Sequence, residues 1–288
     1  MLHATTGILT PGLNFFIASR GMWILASQNP KLMDIRRSRR EFKFLLPPEK
    51  SEEVYAEISQ ILPADQHGNA GSYPIVSEYF DTPERDAFWE RDRKIGNRRK
   101  LRVRIYGSSR GSLPPSAFLE VKHKQDGVGV KRRMAVPIES VMHPSFEVSN
   151  LLDEIQPTLS RKVDLLLLEE IRLLLKMRGV LPAVQMRYNR VAFEGMGDDA
   201  IRITFDDAIR CRLERKPLYP DDSDFPIHLL PAGARLMEVK FFGTVPYWFR
   251  ELTANHQLIR TPFSKYCSAT ERLAPHLVRH QSGQGMFA

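Results

Sequence analysis

RRKLRVRIY, residues 98–106, sets bases at every second position: Arg98, Lys100, Arg102 and Arg104, with Leu101, Val103 and Ile105 between the last of them. Side chains of an extended strand point to opposite faces with a period of two. One face of this strand is therefore basic and the other largely apolar. The division returns along the chain. Glu120, Lys122 and Lys124 share a face of FLEVKHK (118–124), and Lys131 and Arg133 share one of KRRMAV (131–136). Arg202, Thr204 and Asp206 lie opposite Ile203 and Phe205, Glu238 and Lys240 share a face of LMEVKFF (236–242), and Arg210 and Arg212 repeat the pattern. The tripeptide Glu-apolar-Lys stands at 41–43, 120–122 and 238–240.

A sheet with one face in water also alternates apolar and polar residues, and for any single strand that explanation suffices. For the set it is weaker. Bases dominate strand after strand and carboxylates enter singly, while like charges opposite each other on neighbouring strands repel. An anion on the face would hold it together. Same-face side chains recur about every 6.5–7 Å, so a row of them can grip successive groups of an extended polyanion. Arg grips phosphate oxygens bidentately, Lys supplies point charge, and Asp or Glu takes a divalent cation. If the sheet closed on itself, this face would line a tunnel. The apolar face would then lie under helices, among them the leucine-rich one and the one over 246–258.

Around these strands, periodicity predicts further strands over 35–46, 75–80 and 184–194, with separate strands over 200–205 and 209–214. Helical spacing appears over 49–62, 160–177, 246–258 and 265–278, and Asp81-Thr82-Pro83 reads as a strand stop and helix start. No period of 20 to 50 residues repeats. The expectation is α+β with a mostly antiparallel sheet. The 288 residues, 42% apolar and 26% charged, carry a formal charge of +8, which suits anionic partners. Cys211 and Cys267 offer neither a disulfide framework nor zinc spacing and read as buried thiols in a reducing, cytoplasmic compartment. Residues 1–32 lack a stretch long enough to span a membrane and read as a poorly structured leader, with 33–275 the working domain and 276–288 a flexible tail. No P-loop or Gly-x-Ser-x-Gly motif occurs. His276 and His280 lack a third metal ligand, and His123 falls opposite the charged face. Phe88, Trp89, Tyr247 and Trp248 flank turns and helices and read as packing residues, so no stacking platform for nucleic acid is expected among the bases.

The ordered set Glu41-Phe42-Lys43, YFDT (79–82), KLRVRIYG (100–107), FLEVKHK, Lys131-Arg132-Arg133, MRYNRVAF (186–193), IRITFDD (201–207), LMEVKFFGTVPYW (236–248) and FSKY (263–266) resembles the VTC domain of the vacuolar transporter chaperone complex. That domain is the polyphosphate polymerase branch of the triphosphate tunnel enzymes. The resemblance covers roughly 35–275. It implies a tunnel of eight antiparallel strands with helices outside. It implies a nucleoside triphosphate whose terminal phosphoryl group passes to a polyphosphate chain with Mn²⁺ or Mg²⁺. By position, Arg102, Arg104, Lys122 and Lys265 would act at the reacting phosphates. Lys43, Lys131, Arg190 and Ser264 would bind substrate, with Arg133, Arg202 and Lys240 as further lining. Glu238 would hold the metal, with Glu120 and Asp206 as additional candidates. The triphosphatase relatives open with Glu-x-Glu-x-Lys; here Arg39, Glu41 and Lys43 stand there, which favours the polymerase branch. The sequence itself reads as a stand-alone soluble form, with no phosphate-sensing domain expected before the tunnel and no membrane segment after it. A triphosphatase on the same scaffold and a non-catalytic binder of polyphosphate or nucleotide remain as alternatives.

Overall fold

The computed structural model describes residues 39–65, 71–108, 112–125, 128–195 and 201–275. The leader 1–32, the tail 276–288, His276 and His280 lie outside the described residues. Strand β1 (Arg39–Leu46) is followed by helix α1 (Pro48–Ile61), β2 (Tyr73–Asp81), α2 (Asp86–Asp92), β3 (Arg98–Tyr106), β4 (Ser116–Gln125) and β5 (Val128–Pro137). Helices α3 (Ile138–Met142), α4 (Val148–Ile155) and α5 (Lys162–Arg178) precede β6 (Leu181–Glu194) and β7 (Ile201–Arg212). A two-residue β8 (Ile227–His228), β9 (Arg235–Phe242), α6 (Tyr247–Asn255) and α7 (Lys265–Leu273) complete the order. Local chemistry accounts for several boundaries. Pro48 opens α1, where a missing N–H costs nothing. Asp81 accepts from the backbone N–H groups of Thr82 and Ala87, and Thr82 Oγ1 accepts from that of Asp86, which ends β2 and starts α2. Gly179, at φ 62°, terminates α5 in the left-handed conformation that glycine adopts most readily.

Eight long strands form one curled sheet in the order β1-β9-β7-β6-β2-β3-β4-β5, every pair antiparallel, and β8 pairs β7. Among the described residues no strand pairing joins β1 to β5, so the expected tunnel is a half-barrel. Register carries the alternation from strand to strand. Lys43 pairs with Glu238, Glu238 with Thr204, Asp206 with Arg190, Arg190 with Tyr73, Tyr79 with Arg102, Arg102 with Glu120, and Glu120 with Arg133. The polar positions therefore share the concave face.

The convex face is apolar and lies under helices. Leu101, Val103, Ile105, Leu119, Val121, Met134 and Val136 pack beneath α4 and α5. Ile203, Phe205, Met237, Val239 and Phe241 pack beneath α1 and α6. His123 takes this side, against Glu170 of α5, as its place opposite the charged face requires.

Three expectations are corrected. The two strands expected over 200–205 and 209–214 are one, β7 (Ile201–Arg212), with an extra residue at the Arg187/Asn189 register shift and Ala208 at φ 46°. A bulge transfers all later side chains to the other face. Arg210 and Arg212 thus leave the concave face; Arg212 instead binds Gln185 and Asp222 behind the sheet. The last helix is not outside. Tyr266, Cys267 and Ala269 of α7 pack on the concave side against Tyr79, Met186 and Tyr188. Of the four aromatics read as packing residues, Phe88 is buried and Trp89 and Trp248 pack against cores, but Tyr247 is exposed.

Candidate functional site

One wall of the concavity comes from β1, β9, β7 and β6. Arg190 holds Asp206 through two parallel hydrogen bonds, 2.6 and 2.7 Å. Lys265 reaches the same carboxylate at 2.5 Å and Glu238 Oε1 at 3.2 Å. Lys43 also meets Glu238 Oε1 at 3.2 Å and Glu41 at 3.3 Å. Lys240 stands 3.6 Å from Glu238 Oε2, and Arg202 is held by Asp65 and Glu194. The chain places Lys265 here deliberately. Thr261 N–H donates to Lys43 O, Lys43 Nζ donates to Phe263 O, and Ser264 Oγ caps α7 by accepting from Cys267 N–H. Burial would raise the Asp206 and Glu238 carboxyls, but Arg190 and Lys265 around the first, and Lys265, Lys43 and Lys240 around the second, hold both below the carboxylate range.

The opposite wall, β3, β4 and β5, has a different balance. Arg102 binds Glu120 through Nε at 2.7 Å and Nη2 at 2.6 Å, and Lys131 reaches Glu120 Oε1 at 3.2 Å. Burial opposes ionisation of Glu120, yet Arg102, Arg104 and Lys131 hold its carboxyl down at about 2. Arg104, 4% exposed, donates to Ser77 Oγ at 3.0 Å. Among the described residues no carboxylate lies within ion-pair distance of Arg104, Lys122 or Arg133. The surrounding walls strip water from Lys122, and Lys43 adds like charge. Glu41, facing it from the far edge of the sheet, only partly compensates, and the ammonium falls to about 8 although the side chain still reaches solvent.

Every candidate named from sequence thus lies on the concave side, in two groups. Asp206, Glu238, Arg190, Lys43, Lys240 and Lys265 are interlocked, with Arg202 further along that wall and Ser264 capping α7. Arg102, Arg104, Glu120, Lys122, Lys131 and Arg133 face them. Not all the aromatics flank turns and helices. Tyr79, Tyr106 and Tyr188 stand among the bases, with Arg102, Arg104 and Lys265 within 4.7 to 5.8 Å of ring centroids. Tyr79 and Tyr188 are buried at 7% and 1% exposure, so their faces serve the protein's own cations and are not open platforms. These tyrosines sit at alternate strand positions and were visible in the same period-two reading. The buried Tyr266–Asp81 hydrogen bond, which ties α7 to the end of β2, has no local sequence signal.

A divalent cation can be matched to this donor set. Among the described residues no three His, Cys, Asp or Glu side chains form a metal cluster. Both oxygens of Asp206 are engaged by Arg190, and both oxygens of Glu120 by Arg102 and Lys131. Glu238 Oε2 is a carboxylate oxygen whose cations stand back, at 3.6 and 3.8 Å, as is Glu41 Oε2, with Lys240 at 4.0 Å. Beside Glu238 in register, buried Thr204 Oγ1 lacks a hydrogen-bond partner. One carboxylate plus substrate phosphates suits Mg²⁺ or Mn²⁺, which retain waters and bind few protein ligands.

Residues 38–274, nearly the whole described chain, match the family model of the VTC domain. This chain belongs to the VTC domain family. It is 24% identical to the vacuolar transporter chaperone complex subunit 2 of Schizosaccharomyces pombe, over 79% of this chain and 36% of that protein. The VTC domain chain therefore spans about a third of that relative's length. Among solved structures it is similar to a protein of Pyrococcus horikoshii OT3, with TM-score 0.43 and 11% identity over 81% of this chain and 98% of that one. It is also similar to a putative adenylyl cyclase from Hippeastrum with a dominant triphosphatase activity, with TM-score 0.43 and 14% identity over 82% and 95%. Among the described residues no helix is long and apolar enough to cross a membrane.

Proposed function

We propose that this VTC domain is a polyphosphate polymerase that uses a nucleoside triphosphate as donor with Mn²⁺ or Mg²⁺. An oxygen of the terminal phosphate of the acceptor chain forms a bond to the γ-phosphorus. The bond from that phosphorus to the β–γ bridging oxygen breaks, and the nucleoside diphosphate leaves. Arg102, Arg104, Lys122 and Lys265 neutralise and align the reacting phosphates, with Lys43, Lys131 and Arg190 beside them. In phosphoryl transfer such positioning and charge compensation supply most of the catalysis. Glu238 is the residue to hold the cation, which when bound polarises the transferred phosphoryl group.

The observation that carries the choice of polymer over water as nucleophile is the state of the concave-face carboxylates. Glu41, Glu120, Asp206 and Glu238 are all held below their ordinary range by neighbouring bases. Such groups are weak bases for deprotonating water. A phosphate acceptor is already ionised and needs no such help. The test is purified protein with ATP and Mn²⁺, with and without a short polyphosphate primer, following ADP, polymer and free phosphate. ADP with polymer, accelerated by primer, is expected. Stoichiometric free phosphate without polymer would establish the triphosphatase, and tight binding without turnover the non-catalytic binder.

A further inference from the structure

Helix α5 carries two apolar rows, and the sheet uses only one of them. Leu167, Leu168, Ile171 and Leu174 are buried over β3, β4 and β5. A second row, Val163, Leu166, Leu173 and Met177, is left 63, 53, 59 and 73% exposed. With Glu170 among them these residues fall at steps of three and four, 163-166-170-173-177. That is the spacing of a seam that packs against another helix. Over the 17 residues of α5 it runs about 25 Å. Apolar side chains exposed singly need no explanation, but a continuous row of them marks an interaction surface.

Glu170 does not break the row. Its carboxylate is turned inward, 12% exposed, and is met by Arg99 at 3.2 Å, His123 at 3.0 Å and Arg132 at 3.4 Å. The charge is answered within the fold, so a partner can cover it without burying an unpaired anion. Val130, two residues from Arg132 and so on the same face of β5, is half exposed and extends the apolar surface onto the sheet.

The charges beside the row point to the partner. Glu169 and Lys176 each precede a row position by one residue, and both are exposed on the same flank. Among the described residues no ion pair engages Lys176, and Glu169 meets only Arg172 of its own helix, at 3.2 Å. Two copies of α5 laid antiparallel about a two-fold axis set Leu166 of one against Met177 of the other, and Leu173 against Glu170. The same register sets Glu169 opposite Lys176, twice, and brings Val163 to the exposed Leu181 at the start of β6. A parallel pair would set Glu169 and Lys176 beside leucines instead. The surface is thus complementary to itself in one orientation.

We infer that α5 is the contact surface of a homodimer, in which a second copy of this chain packs its own α5 antiparallel along the row. Such a contact uses the same patch on both copies and closes at two. It lies on the convex side of the sheet, so the concave site of each copy stays open. It does not depend on the polymerase reading.

Sedimentation velocity of the whole protein over a range of concentrations tests it, and a monomer–dimer equilibrium is expected. Leu166→Glu/Leu173→Glu changes exposed positions only. It should keep the circular dichroism spectrum and the tripolyphosphate affinity of the wild type and sediment as a monomer. Lys176→Glu sets like charges against each other at both symmetric contacts and should weaken the dimer about tenfold, while Glu169→Lys/Lys176→Glu should restore it. A monomer at every concentration, or a dimer that Leu166→Glu/Leu173→Glu leaves intact, would overturn the inference. A charge swap that fails to restore the dimer would overturn the antiparallel register. Monomeric protein that binds phosphatidylcholine vesicles, and loses that binding in the leucine variant, would overturn the dimer and give the row to a lipid surface.

Discussion

The two walls of the concavity hold similar residues in opposite states. On the β1-β9-β7-β6 wall, Asp206 and Glu238 sit among Arg190, Lys265, Lys43 and Lys240, and their close contacts are made within the protein. On the β3-β4-β5 wall a single carboxylate, Glu120, faces Arg102, Arg104, Lys122, Lys131 and Arg133. The first wall is a prebuilt scaffold whose charges are already answered. The second keeps a surplus of positive charge in a partly dehydrated space, a state that costs free energy until an anion arrives. The contrast says which side of a charged site supplies rigidity and which supplies affinity.

The largest effect should come from breaking the scaffold. Asp206→Asn leaves Arg190 and Lys265 buried without their anion, and losing one partner of a buried ion pair costs about 3–5 kcal/mol. Urea unfolding of the ligand-free protein should show that loss. Glu238→Gln keeps shape but removes the charge a hard cation needs. Turnover at limiting Mn²⁺ should fall to background while tripolyphosphate still binds; wild-type rates would mean that another carboxylate holds the ion.

A smaller effect should follow pH. Lys122, lowered to about 8, is charged below that pH and neutral above it. Burial works to keep the Tyr79 hydroxyl protonated, but Arg102, Arg104 and Lys265 outweigh it and bring Tyr79 to about 8, so it gains negative charge over the same range. Both titrations remove positive charge from the site. Tripolyphosphate affinity should therefore fall about tenfold or more between roughly pH 7 and 9, the worth of at least one charge-assisted contact. Lys122→Ala should flatten the profile in part, leaving the Tyr79 step; an unchanged profile would mean that Lys122 does not titrate there. The smallest effect belongs to Arg132, which alternates to the convex face and pairs with Glu170. Exposed pairs are worth about 0–1 kcal/mol, so Arg132→Ala should barely change stability and should not change tripolyphosphate affinity. A clear loss of affinity would break the assignment of faces between Lys131 and Arg133.

The concave face was legible because strand alternation is a local property. Arg102, Glu120, Lys131, Asp206 and Glu238 could be given a common side from residue parity alone. Parity failed where the backbone departs from a plain strand. The bulge near Ala208 inverts everything after it, so Arg210 and Arg212 were placed on the wrong face, and nothing in the residues around Ala208 announces the extra position. Helices α2, α3 and α4 are only five to eight residues long. Such short helices are stabilised by what they pack on more than by propensity. The partners of Asp206 were not legible either. Lys265 is 59 positions away in sequence, and the pinning of the 261–264 segment to Lys43 and of Tyr266 to Asp81 brings it to Asp206 and Glu238. The contact of Arg91 with Pro262 O needed the same kind of long-range information, because it joins α2 to the segment before α7.

The central claim, that one wall is scaffold and the other is ligand grip, is tested most directly by pairing Arg190→Gln with Arg104→Gln and measuring two quantities for each, ligand-free stability and tripolyphosphate affinity. Arg190→Gln should lose about 3–5 kcal/mol of stability, because Asp206 is left buried beside fewer cations. Arg104→Gln removes a buried cation held by Ser77 and tyrosine faces rather than by a close carboxylate, so ligand-free stability should fall much less than in Arg190→Gln. Its tripolyphosphate affinity should fall by about 1.5–3 kcal/mol, roughly ten- to 150-fold. If Arg104→Gln instead destabilised the ligand-free protein as much as Arg190→Gln and left affinity unchanged, the division of the two walls would be contradicted.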